Sequence, residues 1–150
     1  RYTVTVTSSS LSCHVAVINT SAAAFQFDWL FHTYLAVDNV AEVQVAGFEG
    51  VGFEERSGPG KRHIDNNAEL LVDGELDRTY FGVPGPVILK RDDGSTVTVT
   101  RLHLPDIVVW NPWAEKAASM ADLGEGEYLR MLCIEAGHVG KEAVEVQAAG

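Results

Sequence analysis

Short apolar runs with turn signals between them recur from one end of this chain to the other. That spacing leaves few folds besides an antiparallel β-sandwich. Tyr2, Val4 and Val6 alternate with Thr3, Thr5 and Thr7, the period-two pattern of a half-buried strand. After the serines at 8–10 a second strand is expected over 11–18, with Cys13, Val15 and Val17 on one face. Residues 25–37, FQFDWLFHTYLAV, suit one or two central strands. Further strands are expected over 42–48, 68–72, 87–90, 96–102, 107–110, 128–134 and 143–146. Asp93-Gly94 marks a hairpin turn between two of them. The Gly- and charge-rich stretch 49–67 reads as a long loop, a place where function often sits. One helix is expected over about 112–122, with Asn111 as N-cap, Pro112 in the first turn and Gly124 as the stop.

At 150 residues one domain over 1–150 is the natural expectation, with enough chain to bury a sizeable core. Hydrophobic content of 46% against 21% charged is that of a globular protein. The net charge of -10 argues against nucleic acid or an anionic membrane as a partner, since both need basic surface. It leaves room for a phosphorylated small substrate, because a few local arginines can hold one phosphate. No apolar run reaches the length of a membrane span, and no basic-then-apolar leader is present. Cys13 and Cys133 lie far apart in strand-like apolar segments and read as two buried thiols in a reducing compartment. Strand patterns run directly up to Arg1 and to the end of the chain, so a piece cut from a longer protein is expected.

The segment MLCIEAG carries one carboxylate, Glu135, among apolar neighbours. Burial there would disfavour the charged form and raise its pKa, which suits proton transfer. A strand-end Glu turned to water or paired with an arginine is the plainer alternative. His32, in FHTYL, is either a hydrogen-bonded core residue or, with an ordinary pKa near ~6.5, a proton donor or acceptor at neutral pH. Asp77 beside Arg78 in GELDRTY is either a surface ion pair or an acceptor for sugar hydroxyls. Trp110 and Trp113 read as core and helix-anchoring residues ahead of a sugar-stacking platform. His14, His63, His103 and His138 have no partner at metal spacing, and neither His-x-x-x-His nor Cys-x-x-Cys occurs, so no zinc site is expected. Neither a Gly-x-Ser-x-Gly elbow nor a phosphate-binding glycine loop is present. Spacing alone does not join His32, Asp77 and Glu135, but a sandwich can lay distant strands side by side.

Five pieces occur in a telling order: FHTYLAV at 31–37, GFEG at 47–50, GELDRTY at 74–80, VVWNPWAEKAASMADLG at 108–124 and EYLRMLCIEAG at 127–137. With them the chain resembles the hexose-6-phosphate mutarotases, the glucose-6-phosphate 1-epimerase branch of the aldose 1-epimerase (galactose mutarotase-like) superfamily. The resemblance implies a β-supersandwich with its site in a cleft on one sheet. It implies His32 as general acid, Glu135 as general base and Asp77 as a sugar-binding acid. The implied reaction interconverts the α and β anomers of a hexose 6-phosphate such as glucose 6-phosphate, without metal or cofactor, in a cytoplasmic protein that is a monomer at full length. The family's usual Tyr-x-Asp stands here as Phe53-Glu54-Glu55. The arginines that serve the sugar phosphate lie in a part of the family domain upstream of what this chain resembles. The competing expectation is a non-catalytic carbohydrate-binding sandwich or an inactive fragment.

Overall fold

A computed structural model of the chain describes residues 1–57, 60–140 and 143–149. Its strands, in chain order, are β1 (Tyr2–Val6), β2 (Leu11–Val15), β3 (Phe25–Phe27), β4 (Trp29–Leu30), β5 (Tyr34–Ala36), β6 (Gln44–Ala46), β7 (Gly52–Glu55), β8 (Arg62–Ile64), β9 (Glu69–Leu71), β10 (Leu76–Tyr80), β11 (Val87–Lys90), β12 (Thr96–Val99), β13 (Asp106–Asn111), β14 (Met131–His138) and β15 (Val144–Val146). Among the described residues there is one α-helix, α1 (Trp113–Ala117), between β13 and β14, and two short 3-10 turns, at Val40–Glu42 and Glu127–Arg130. Every strand pairing among the described residues is antiparallel. The chain divides into two compact units, Arg1–Asp28 with Ala143–Gly150, and Trp29–Glu142.

In the first unit β1 pairs with β2, from Tyr2↔Val15 to Val6↔Leu11, and β3 pairs with β15. Asn19 is buried and holds its turn together, its amide donating to the carbonyls of Ala23 (2.9 Å) and Val146 (3.1 Å). The β1–β2 ribbon differs from the half-buried strand that its pattern suggests. All five residues of β1 are exposed, with Val6 at 73%. Cys13 is exposed as well, accepting a hydrogen bond from the Tyr2 hydroxyl at 3.1 Å, so only Cys133 is the buried thiol the sequence suggests for both. Alternation states which residues share a face; a face is buried only where a second layer covers it.

In the second unit a seven-stranded sheet runs β4-β14-β13-β10-β7-β8, with β5 also pairing with β14, and a four-stranded sheet runs β12-β11-β6-β9. The two share one core. Val45, Leu70, Val87 and Leu89 of the smaller sheet join Phe53, Leu76, Tyr80, Ile107, Val109, Leu132 and Ile134 of the larger in a single buried cluster. This is an antiparallel sandwich in which each inner face supplies every second residue. Phe48 stacks on Tyr80 with ring centroids 3.9 Å apart, and the Tyr80 hydroxyl donates to buried Asp65 at 2.7 Å.

Three local expectations change. The stretch 49–67 is no long loop, because β7 and β8 form a hairpin within it; Gly58 and Pro59 lie outside the described residues. Three of its charges, Glu54, Glu55 and Arg62, belong to these strands. Glu54 pairs with Arg62 (3.0 Å), and Glu55 with Arg78 (2.8 Å), whose guanidinium lies over the Phe53 ring. Second, β10, read in sequence only as an acidic motif, is a strand within the large sheet. Leu76 and Tyr80 point into the core while Asp77 and Thr79 point the other way. Third, the helix expected over about 112–122 is only five residues long. Asn111 ends β13, and its Oδ1 accepts the Trp113 amide at 2.9 Å while its Nδ2 donates to the carbonyls of Tyr128 and Met131. The Ser119 hydroxyl donates to the Lys116 carbonyl at 2.7 Å, and the chain leaves the helix by a turn there.

Leu132 is fully buried among both sheets, whereas Val4 is 48% exposed. Leu132→Ala is expected to lower unfolding free energy by about 2–5 kcal/mol, and Val4→Ala to stay within about 0.5 kcal/mol. Urea titration followed by circular dichroism measures both; equal midpoints for the two variants would contradict the core assignment.

Candidate active site

Strand β14 has two faces of different chemistry. Leu132, Ile134 and Ala136 face the core, so Cys133, Glu135 and Gly137 face the opposite side of the large sheet. Register extends that outer face sideways. Cys133 pairs with Trp110 of β13 on one side and Tyr34 of β5 on the other, and Trp110 pairs with Asp77 of β10. One row therefore reads Asp77, Trp110, Cys133, Tyr34. The next row reads Thr79, Val108, Glu135.

His32 reaches this face because the edge opposite Glu135 is broken. β4 and β5 both pair with β14, and residues 31–33 between them leave the ladder. The Phe31 amide still donates to the Ala136 carbonyl (3.0 Å), but the Thr33 amide turns back to the carbonyl of Phe31 (2.9 Å). The register on either side, Gly137↔Leu30 and Cys133↔Tyr34, places His32 opposite Glu135. Gly137 permits the close approach of β4, since a Cβ there would sit 2.6 Å from both the Leu30 side chain and the Trp29 carbonyl. His32 Nδ1 then lies 3.2 Å from Glu135 Oε2. The pair is asymmetric, with the His32 side chain 72% exposed and that of Glu135 only 5%.

Burial is the largest influence on Glu135 and pushes its pKa above the usual carboxylate range. The charge and hydrogen bond of His32 and a hydrogen bond with Cys133 pull it partly back, while the like charge of Asp77 adds to the rise. Asp77 is raised too, first by burial, with Lys116 and Arg56 opposing. These two cations, one from α1 and one just after β7, mark the Asp77 end of the face. At the other end Tyr34 is raised by burial and by the nearby Cys133, Glu135 and Asp122. Tyr34 meets Trp110 edge-on, with ring centroids 6.2 Å apart at 72°. Buried Cys133 sits in the row between these two rings, and its thiol is pushed up by burial and by Glu135.

The three acids and bases singled out in the sequence thus share one sheet face, with His32 and Glu135 in direct contact and Asp77 in the row beside them. Trp110 belongs to this face as well and is no core residue, because its parity along β13 is that of Val108 and not of Ile107 and Val109. Trp113, by contrast, packs against the core and tilts against Tyr128 at 5.6 Å, as a helix-anchoring residue should. Tyr34 and Cys133 went unremarked as site residues in the sequence; each lies two positions from His32 or Glu135, the spacing that puts strand residues on one side. Among the described residues no group of three or more His, Cys, Asp or Glu could hold a metal ion. A separate depression lined by Gly52, Arg62, His63, Ile64 and Phe81 includes none of His32, Asp77 and Glu135.

The family model for aldose 1-epimerase matches residues 1–149. A protein of Cenchrus ciliaris named "Putative glucose-6-phosphate 1-epimerase" is 34% identical over 133 residues, covering 88% of this chain and 40% of its own length. A protein of the same name from Haemophilus influenzae is 26% identical over 113 residues, covering 72% of this chain and 38% of its own. The chain thus spans about two fifths of the length of these curated relatives. In fold it is similar to the crystal structure of "a putative mutarotase (YeaD)" from Salmonella typhimurium, with a TM-score of 0.74 at 22% identity over 92% of this chain and 43% of that one.

A carboxyl whose pKa is raised on folding holds its proton more tightly in the native state than in the unfolded chain. Stability therefore falls as pH rises from the ordinary carboxylate value through the raised one, and stays lower above it. Glu135→Gln is expected to melt higher than the parent chain at about pH 8, with the gap closing toward about pH 4, where both forms are neutral at this position. Thermal melts across that range check the sign; a gap that widens on acidification would contradict it.

Proposed function

The chain belongs to the aldose 1-epimerase family, and on that premise we propose that it interconverts the α and β anomers of a hexose 6-phosphate by acid–base opening and closing of the ring. The observation that carries this reading is the 3.2 Å contact between an exposed imidazole and a buried carboxylate of raised pKa. Anomer exchange needs one group to take the proton of the C1 hydroxyl and one to protonate the ring oxygen. Both oxygens sit on C1, so an adjacent base and acid can serve them together.

Glu135 is the base in this scheme. Burial raises its basicity, and His32 keeps the carboxylate accessible. His32 is the acid, and its exposure puts its proton where a ligand entering from solvent meets it. With the ring open, rotation about C1–C2 presents the other face of the carbonyl. Closure then returns the two protons with the roles exchanged. Opening and closing together leave Glu135 ionised and His32 protonated again, so each turnover resets both groups without metal or cofactor. Asp77, in the row beside them, accepts hydrogen bonds from the sugar hydroxyls and orients the ring.

The names of the relatives carry glucose 6-phosphate, one member of this substrate class, and a phosphorylated substrate agrees with a cytoplasmic site of action. No helix among the described residues is long and apolar enough to cross a membrane. The relatives extend well beyond the region this chain matches, so activity is assayed both on this chain and on one lengthened to the relatives' span.

Exchange NMR on glucose 6-phosphate at equilibrium, following magnetisation transfer between the α and β anomeric protons, tests the proposal. The parent chain should accelerate exchange, and Glu135→Gln should lower that rate by ~10²-fold or more. The rate should rise with pH through the raised pKa of Glu135, a limb displaced above the ordinary carboxylate range. Near-full activity in Glu135→Gln would sink the assignment, and sugar binding without exchange in the lengthened chain would favour a carbohydrate-binding module instead.

A further inference from the structure

We infer that Trp110 is the floor of the sugar site, an indole face on which the pyranose ring lies while Asp77 and the His32–Glu135 pair hold its two ends. The inference rests on the proposed anomer exchange for the identity of the ligand, but its evidence is separate. In the hydrogen-bonded register Trp110 stands between Asp77 on β10 and Cys133 on β14, and Glu135 is two residues along from Cys133 on the same face. A ligand that touches both Asp77 and Glu135 must cross β13 at Trp110 and Val108, and Trp110 is the larger of the two surfaces.

The indole is half-buried, so part of it is open to a ligand. Tyr34 meets it edge-on at 6.2 Å and sits in the same row beyond Cys133, so it borders the floor on the side of His32. The steep angle between the two rings keeps Tyr34 from lying flat on the indole, so it does not cover the indole as a stacked ring would. A pyranose supplies a flat partner. Its axial C–H groups make an apolar patch on the ring face, while its hydroxyls point outward along the ring plane. Binding sites for small polar ligands commonly combine an apolar surface with a few placed polar groups, and here the polar groups stand at either side of the indole. Burying the C–H face against Trp110 contributes affinity and lets the carboxylates and imidazole set orientation.

This role differs from that of a core tryptophan. Stacking acts equally on the ground state and on the ring-opening transition state, so its loss should appear in KM with little change in kcat. The chain has three tryptophans, Trp29, Trp110 and Trp113, so fluorescence can separate them by substitution.

The experiment titrates glucose 6-phosphate into the parent chain, Trp110→Phe and Trp110→Ala. It follows tryptophan fluorescence, saturation-transfer NMR of the sugar protons, anomer exchange rates and melting temperature. The expected result is a fluorescence change on binding in the parent chain that vanishes in Trp110→Phe, although saturation transfer shows the sugar still bound. Trp110→Phe should keep KM within a few-fold, whereas Trp110→Ala should raise it about tenfold with kcat little changed. Undiminished affinity in Trp110→Ala, or a fluorescence change that survives in Trp110→Phe, would overturn the floor while leaving accelerated exchange, and so the proposed reaction, intact. Binding that perturbs Trp110 with no accelerated exchange would overturn the reaction and keep the floor. Absence of saturation transfer in the parent chain and in one lengthened to the relatives' span overturns both. Should Trp110→Ala fail to fold, the fluorescence of Trp110→Phe decides alone.

Discussion

The pairing of β13 with β14 is the constraint on which the rest of the second unit depends. One register, Trp110↔Cys133 and Val108↔Glu135, assigns every side chain of both strands to the core or to the outer face. Because strand side chains alternate, a slip of β14 by one residue would send Leu132 and Ile134 to solvent and bury Glu135, and a slip of β13 would send out Ile107 and Val109 and bury Trp110. Burial of those four residues with the smaller sheet opposes either slip. The apolar core thereby holds the polar face in place without touching it.

Several buried polar groups lock the same arrangement, and each has partners. Asn111 ties the end of β13 to the turn before β14. Asp106, at the other end of β13, accepts amides from Gly82, Val139 and Gly140. Asp65 receives the Tyr80 hydroxyl and the Asn67 amide. A buried polar group with its bonds made costs little, and one with a bond missing costs much. Glu135 departs from this pattern. Its partner is an exposed imidazole, and its burial raises its pKa instead of being fully compensated. A carboxylate held in that condition weakens the fold at neutral pH, and the same condition makes it a better base.

Legibility followed local pattern. The strands around Val45, Leu70, Leu89 and Val109 stand out in the sequence because their apolar residues either alternate or run together. The 91–95 hairpin was legible through Asp93-Gly94, and Gly94 does adopt a positive φ of 80°. β7, β8 and β10 were not, because their residues are charged and the charges are satisfied across strands: Glu54 by Arg62, Glu55 by Arg78. Pairing of that kind is invisible until the strands are adjacent. The exposure of Val4 and Cys13 was illegible for the converse reason, since alternation cannot state whether a layer covers it.

By itself the sequence determined the fold class and the family, through turn residues at short intervals and an ordered series of motifs from FHTYL to MLCIEAG. It also determined which residues within a strand share a side, since two-residue alternation is a property of the extended backbone. Only the tertiary structure decided that His32 meets Glu135 across a broken edge, that Asp77 lies in the adjoining row, and that Trp110 stands between them and not in the core. Those placements depend on the register between strands far apart in the chain. Register is set by which faces can be buried together, a property of the packed sheets that no single segment carries.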